Sequence, residues 1–264
     1  MSIFTRDENV KQQYSSDMNL SARYKLHDKH STNKQGFIPW LVEQYDFKEN
    51  DKILELGCGN GRQWDGRIST LPAGCSLILT DISQGMISTA KERLSAGSNV
   101  RFLQMDIQDI PYADESFDIV IANHMLFHVP DLDKGLSEVR RVLKANGRFY
   151  STTNSNGGLR QYFHNVFKKF DPDTDAFTNM LTFDLDNGGE ILRRHFAHVE
   201  RRDYEDSLAV TDTRDLMDWL ESTITMSGYL SDKFTGLYDY FEAIRVEIGS
   251  IDIPKEQGLF ICTK

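Results

Sequence analysis

The chain has few cysteines, no long apolar run, no excess of positive charge and no internal repeat. Cys58, Cys75 and Cys262 are far apart and odd in number. They form neither a disulfide framework nor the paired spacing of a zinc site, so a reducing, cytoplasmic setting is expected. No window approaches the roughly 18 continuous apolar residues of a spanning helix, and the opening residues Met1 to Glu8 lack the apolar stretch of a secretory leader. A soluble chain with no membrane partner is the expectation. Lys and Arg number 30 against 40 Asp and Glu, a net charge of −10. That balance disfavours a nucleic-acid backbone or an anionic bilayer as the main partner, because both need a basic face. The 264 residues, 39% hydrophobic and 27% charged, have an ordinary globular composition. They suffice for one large domain, or one domain with an appended cap.

The most informative stretch is Ile53-Leu54-Glu55-Leu56-Gly57-Cys58-Gly59-Asn60-Gly61. It reads as a buried strand entering a glycine-rich turn, where missing Cβ atoms let the backbone bend sharply and approach a ligand. A helix is expected to follow, its first N–H groups pointing into the turn. From residue 51 to about 153 strand and helix alternate. Strands are expected at Ile53–Leu56, at Ser76–Thr80 ending at Asp81, at Val100–Met105 ending at Asp106, at Phe117–Ala122 ending at Asn123, and at Arg148–Thr153. Ser83 and Asp131 are placed to cap the helices between them. Asn146-Gly147 is expected to end the second of these helices. Repeated βα units imply parallel strands, right-handed crossovers and an α/β, doubly wound sheet. Its ligand belongs outside the carboxyl ends of the strands.

The flanking segments are less regular. Residues 1–50 read as helical and polar, a cover or lid (1–50) against an α/β core (51–153). Residues 154–264 read as cap insertions plus the last strands of the sheet. They include an aromatic helix at Gln161–Phe170, a short helix at Glu190–Phe196, a strand at Val199–Tyr204, helices at Asp212–Met226 and Asp232–Ile248, and a closing strand at Leu259–Cys262.

The glycine spacing narrows the ligand. A dinucleotide fingerprint needs Gly-x-Gly-x-x-Gly, but here Arg62 follows Gly61, and the glycine that allows close helix–strand packing is missing. No Gly-Lys-Ser/Thr follows, so a P-loop fails as well. Glu55–Gly61 instead resembles motif I of the class I S-adenosylmethionine-dependent methyltransferases. Leu79-Thr80-Asp81-Ile82-Ser83 is similar to that family's second acidic strand end. Met105-Asp106-Ile107 with Ile110-Pro111-Tyr112, and Asp114–Asp118, are similar to its third and fourth motifs. Glu138–Lys144 with Gly147 resembles the segment before its fifth strand. The resemblance covers roughly residues 37–153.

It implies a mostly parallel, seven-stranded Rossmann-like methyltransferase fold with a helical N-terminal lid and C-terminal cap insertions, and S-adenosyl-L-methionine as cofactor. By that likeness Glu55, Gly57, Cys58, Gly59, Gly61, Asp81, Ile82, Asp106, Ile107 and Asn123 are the cofactor-binding residues. Glu55, a charge in an apolar strand, needs a partner: either the cofactor and the loop, or a nearby cation. Asp81 can accept both ribose hydroxyls with its two oxygens, or serve as an N-terminal helix charge. Ile82 would pack on adenine, and Asp106 with the Ile107 N–H would read its edge. A looser likeness around Leu20–Asn33 implies that Arg23, Tyr24, His27 or Trp64 lines the entrance.

His124 and His128, at i, i+4 spacing after Asn123, are the candidate catalytic residues. They are open to proton acceptance, substrate contact, simple hydrogen bonding or zinc; the last lacks a third ligand. No metal is expected. The sequence has Asn123-His124-Met125-Leu126 where amino-methylating nucleic-acid enzymes carry Asn/Asp-Pro-Pro-Tyr/Phe. The expected acceptor is therefore a small molecule and not a nucleic acid. The alternatives are a protein acceptor, a non-catalytic binder of S-adenosylmethionine or S-adenosylhomocysteine, and a nicotinamide oxidoreductase.

Overall fold

The computed structural model describes residues 17–94, 97–178, 180–223 and 236–264. Five parallel strands, β1 (Lys52–Leu56), β2 (Ser76–Asp81), β3 (Val100–Gln104), β4 (Phe117–Asn123) and β5 (Leu143–Asn154), are joined by β6 (His198–Val210) and β7 (Ile251–Thr263). The sheet order is 3-2-1-4-5-7-6. Only β7 runs antiparallel to its neighbours. The order reverses at β1 and β4, the point at which a doubly wound sheet opens a crevice for a ligand.

Central strands buried on both faces read as continuous apolar runs, and β1 does so. Its Leu54 and Leu56 join Val120, Phe149 and Phe260 in the core on one face, under helix α4 (Leu132–Val142). Its Ile53 joins Leu77, Ile121 and Tyr150 on the other, beside Leu41 of helix α2 (Phe37–Gln44). Helix α3 (Gln84–Arg93) buries Met86, Ile87 and Ala90, and its Ser83 cap accepts the Met86 N–H. Asp131 caps α4 by accepting the Lys134 N–H.

Two expectations are corrected. The glycine turn is followed not by a helix of useful length but by two 3-10 turns, Arg62–Trp64 and Ile68–Thr70. Left-handed backbone at Gly61 and Gly66, φ 75° and 70°, breaks the segment on both sides of Trp64, so residues 62–70 form no α-helix. Helix α4 ends at Val142 rather than at Asn146-Gly147, and β5 begins at Leu143, which already pairs with Phe117.

The last two strands are longer than the sequence reading allowed. Both span 13 residues. β5 pairs with β7 only as far as Asn154 opposite Gln257. Beyond that point, 205–210 and 251–256 continue as a two-stranded ribbon past the carboxyl edge of the sheet. Helices α5 (Gly158–Phe167), α7 (Thr213–Glu221) and α8 (Leu237–Ile248) pack on the ribbon with helix α1 (Asp17–His30); the short α6 (Gly188–Arg193) stays with the sheet core. Leu26, Phe163, Phe167, Leu208, Leu216, Trp219, Phe241 and Ile253 form this second core. Buried apolar side chains of this size contribute about 1.5–3 kcal/mol each, so the cap is an independently cemented layer over the crevice. Asp215 of α7, 2% exposed, receives Lys25, Lys29 and His30 of α1 at 2.6, 2.7 and 2.9 Å. These contacts hold its carboxyl well below the usual range against the effect of burial. The parts of the expected helices at 224–226 and 232–235, like residues 1–16, lie outside the described residues.

The ribbon's root supplies a stability prediction. A Cβ on Gly258 would lie 2.7 Å from the Arg202 carbonyl oxygen of β6, and that backbone cannot yield without breaking the ladder. Gly258→Ala is expected to cost about 1–3 kcal/mol, read as a lower urea midpoint with an unchanged slope.

Candidate active site

A cavity of about 910 Å³ lies between the carboxyl ends of the strands and the cap. Its floor is the glycine turn. Gly57, Gly59 and Gly61 all have positive φ, 72°, 55° and 75°. A Cβ on Gly57 would meet Met125 at 2.9 Å, and one on Gly61 would meet Leu94 at 2.9 Å. The turn's N–H groups are largely used internally: Cys58 donates to Thr80 O, Gly59 to the Asp81 carboxylate and Gly61 to Cys58 O. The turn therefore offers a ligand mainly room and close approach, rather than the row of N–H donors expected from the sequence.

Asp81, 8% exposed, ends β2 and lines the cavity. It accepts the Gly59 N–H at 3.0 Å and the Ser83 N–H at 2.8 Å. Burial raises its carboxyl, and these two donors pull it back. Each carboxylate oxygen keeps a lone pair for a further donor. Ile82 beside it is 38% exposed, an apolar surface on the cavity wall. Asp106 and Ile107 line the same wall; Asp106 is braced by the Gln108 backbone N–H at 2.8 Å and by the Gln108 side chain. Cys58 is half-buried, its thiol pushed well up by burial and then by Glu55 and Asp81.

Glu55 is 2% exposed and is held by the Trp64 indole N–H. Burial raises its carboxyl to about 7, Asp81 adds to the rise, and the Trp64 hydrogen bond opposes it. Its partner is thus neither lysine nor arginine. Trp64, 2% exposed, belongs to the core and does not line the entrance; its role as Glu55's donor had no sequence signal. Asn123 donates to Tyr45 Oη at 2.8 Å and to Gln63 Oε1 at 2.7 Å, while its own Oδ1 is buried without a hydrogen-bond partner among the described residues.

The two histidines do not share a helix face. His124 follows β4 in left-handed backbone, φ 50°. Its ring packs 5.3 Å from that of Phe37, and burial, followed by Lys255, lowers it to about 4. Its Nδ1 is buried and unpartnered among the described residues. His128 closes the 3-10 turn Leu126–His128 against Phe127. Both line the cavity. The zinc arrangement of two ligands on one helical face is therefore not present here. Among the described residues no group of three or more His, Cys, Asp and Glu stands ready to hold a metal ion.

The roof comes from the cap and from α1. Arg23, Tyr24 and His27 line the cavity. Arg62, the residue that broke the dinucleotide spacing, joins α1 to the glycine turn: it pairs with both Asp28 oxygens at 2.6 and 2.7 Å and lies 4.2 Å from the Tyr24 ring centroid. Lys255, Gln257 and Arg160 also line the cavity. Sequence reasoning missed all three, because only the long ribbon and α5 carry them there. Among the described residues no helix is long and apolar enough to cross a membrane.

The donor set suits S-adenosylmethionine. Gly57 and Gly59 line the cavity in left-handed backbone that strains any side chain, while Gly61 packs behind them on Leu94; Asp81 keeps lone pairs beside the exposed Ile82, and the buried Asn123 Oδ1 has no partner among the described residues. Comparison with known proteins points the same way. A sequence profile of the methyltransferase domain matches residues 54–151. Demethylmenaquinone methyltransferase of Clavibacter sepedonicus is 35% identical over 98 residues, 37% of this chain and 39% of that protein. YrhH of Bacillus subtilis, a protein assigned to the methyltransferases, is 32% identical over 123 residues, 46% of this chain and 67% of its own. The chain thus spans well under half the length of the Clavibacter relative and two thirds of YrhH. In fold, a phosphoethanolamine N-methyltransferase 2 of Haemonchus contortus, solved with S-adenosyl-L-methionine, superposes with a TM-score of 0.62 at 17% identity, covering 99% of this chain and 60% of that one. With motif I, the acidic strand ends and the 3-2-1-4-5-7-6 sheet in place, the chain belongs to the class I methyltransferases, the family whose cofactor is S-adenosylmethionine.

Proposed function

We propose that the chain transfers the methyl group of S-adenosylmethionine to a small-molecule acceptor by in-line displacement. The observation that carries this reading is one cavity shared by the core and the cap. It runs from the glycine turn and Asp81 to the ribbon residues Lys255 and Gln257 under one roof. Its volume lies in the upper part of the roughly 300–1,000 Å³ typical of small-molecule sites. The relative named for demethylmenaquinone supports a small acceptor, yet the matched region is the α/β core, and the acceptor-facing cap lies outside it.

When bound, S-adenosylmethionine supplies a methyl on a positively charged sulfur, a leaving group that needs no further activation. The chain's own task is then to align the partners and exclude water. In this reading Asp81 takes the ribose hydroxyls, Ile82 and Ile107 flank the adenine, and Asp106 accepts from its amino group. Glu55 keeps the base of the site polar through Trp64. Asn123 marks the transfer point, with His124 next to it as hydrogen-bond partner or proton acceptor. His124 is neutral at physiological pH, so it can accept a proton if the acceptor holds one until attack. His128 stands on the same wall.

Incubating the protein with S-adenosylmethionine labelled in the methyl, together with cell extract, tests the reading. Label is expected in the low-mass fraction. Label confined to protein would move the reading to a protein methyltransferase. S-adenosylhomocysteine binding with no labelled product would favour a non-catalytic binder. With the acceptor in hand, His124→Ala is expected to lower kcat by about 100-fold or more if its imidazole takes the proton; unchanged turnover in His124→Ala and His128→Ala would remove both as bases.

A further inference from the structure

The cap side of the cavity carries polar side chains to which the cofactor reading above gives no role. Lys255 and Gln257 stand two residues apart on β7, so both side chains leave the same face of the ribbon, and both line the cavity. His27 reaches the cavity from α1, its ring edge-on to Trp219 at 6.5 Å. His27 Nδ1 and Gln257 Nε2 are buried without a hydrogen-bond partner among the described residues. Orphaned buried polar atoms are costly, and here two belong to residues that line one cavity, which points to a ligand that satisfies them. Lys255, its side chain 6% exposed, gives one proton to Asp206 and one to Ser31 Oγ at 3.2 Å. An ammonium has three.

Charge selects the ligand further. Asp206, which neutralises Lys255 on one side, is itself saturated: it accepts from Ser31 Oγ at 2.8 Å and from the Asn33 N–H at 3.0 Å. The groups facing His27 are Lys255, Asp206, His124 and Arg23. Burial and Lys255 lower His27 to about 3, with Asp206 opposing. Both imidazoles therefore feel the lysine as a net positive field. Arg160 on α5 adds a second cation on the cavity wall, lowered to about 10 by burial.

Resting on the methyltransferase reading, we propose that the acceptor carries an acid group, carboxylate or phosphate, whose oxygens are received by Lys255, Gln257 and His27. An anion there uses the third lysine proton and both orphaned atoms at once, whereas a cationic acceptor would oppose Lys255 in a desolvated space. The placement also serves the chemistry. Burial first and then Lys255 hold His124 down, and an anion beside the lysine opposes the second of these.

The test is isothermal titration of the protein saturated with S-adenosylhomocysteine, using benzoate, phenyl phosphate and benzamide as probes. At least one of the acids is expected to bind about tenfold or more tightly than the neutral amide, the worth of one charge-assisted hydrogen bond. Which acid binds better tells carboxylate from phosphate. His27→Phe, and the pair Lys255→Met with Asp206→Asn, which removes the ion pair as a unit, are expected to abolish that preference. Benzamide binding as tightly as both acids, no binding by either acid, or an acid preference surviving in both variants overturns the proposal. The wild-type comparison needs no variant to fold. Failure of S-adenosylhomocysteine to bind the wild type would instead strike the methyltransferase reading.

Discussion

Asp81→Ala is expected to weaken S-adenosylhomocysteine binding by about 100-fold. The carboxylate ends β2 inside the crevice and does two jobs. Toward the protein it ties the glycine turn to the second strand through the Gly59 N–H at 3.0 Å, and it opens α3 through the Ser83 N–H at 2.8 Å. In the proposed reading its remaining lone pairs, on the cavity side, receive the ribose hydroxyls. Hydrogen bonds to a charged group contribute about 1.5–3 kcal/mol each. Losing two, partly replaced by water, leaves about 3 kcal/mol, or two orders of magnitude in affinity. Asp81→Asn keeps the shape and one acceptor, and its expected loss is about tenfold. Titration calorimetry distinguishes this from a purely structural role. If Asp81→Ala binds within threefold of wild type while its unfolding midpoint falls, the carboxylate is only the tether of the turn and the opening charge of α3.

The second large effect is on stability and its pH dependence. Glu55 has an ordinary carboxyl value of 4.5 and stands near 7 in the fold, raised first by burial and then by Asp81, with the Trp64 N–H opposing. The folded protein therefore holds this proton more tightly than the unfolded chain. The stability it contributes is fully present below about pH 4.5 and is lost as pH rises through 7. At 1.36 kcal/mol per unit the swing is about 3 kcal/mol. His27 and His124, held below their ordinary 6.5 at about 3 and about 4, act in the opposite sense over the same range, so the Glu55 effect is read as a difference between proteins. Relative to Glu55→Gln, which keeps an acceptor for Trp64 without a titrating proton, the wild-type melting midpoint is expected to fall from pH 5 to pH 8. A difference between the two proteins that stays constant or grows in favour of wild type over this range would remove Glu55 as the source.

The α/β core was legible because its signals are local. Ser76–Asp81 and Phe117–Asn123 are short apolar runs ending in polar residues, Ile53–Leu56 is one ending at the glycine turn, and the fold sets those ends side by side. Ser83 and Asp131 announced their helices by capping chemistry that needs only three residues. The segment after Gly61 misled because the pull on Trp64 is tertiary: the indole turns inward to Glu55, nine residues back, and 3-10 turns replace the helix. Sequence periodicity carries no trace of that bond. Nor does it show that β6 and β7 run past β5, since their length depends on pairing between 205–210 and 251–256, 41 to 51 residues apart. Lys255, Gln257 and His27 therefore meet only in the folded chain. Arg62 was read as an absence, the missing third glycine, and in the structure it is the residue that joins α1 to the turn through Tyr24 and Asp28.

The most direct test of the central claim, a crevice built for S-adenosylmethionine rather than a nicotinamide dinucleotide, is calorimetric titration of the wild-type protein with S-adenosylhomocysteine and, separately, with NADH. The account predicts saturable one-to-one binding of S-adenosylhomocysteine, strongly weakened by Asp81→Ala, and no saturable heat with NADH. Binding of NADH with no response to S-adenosylhomocysteine would contradict it.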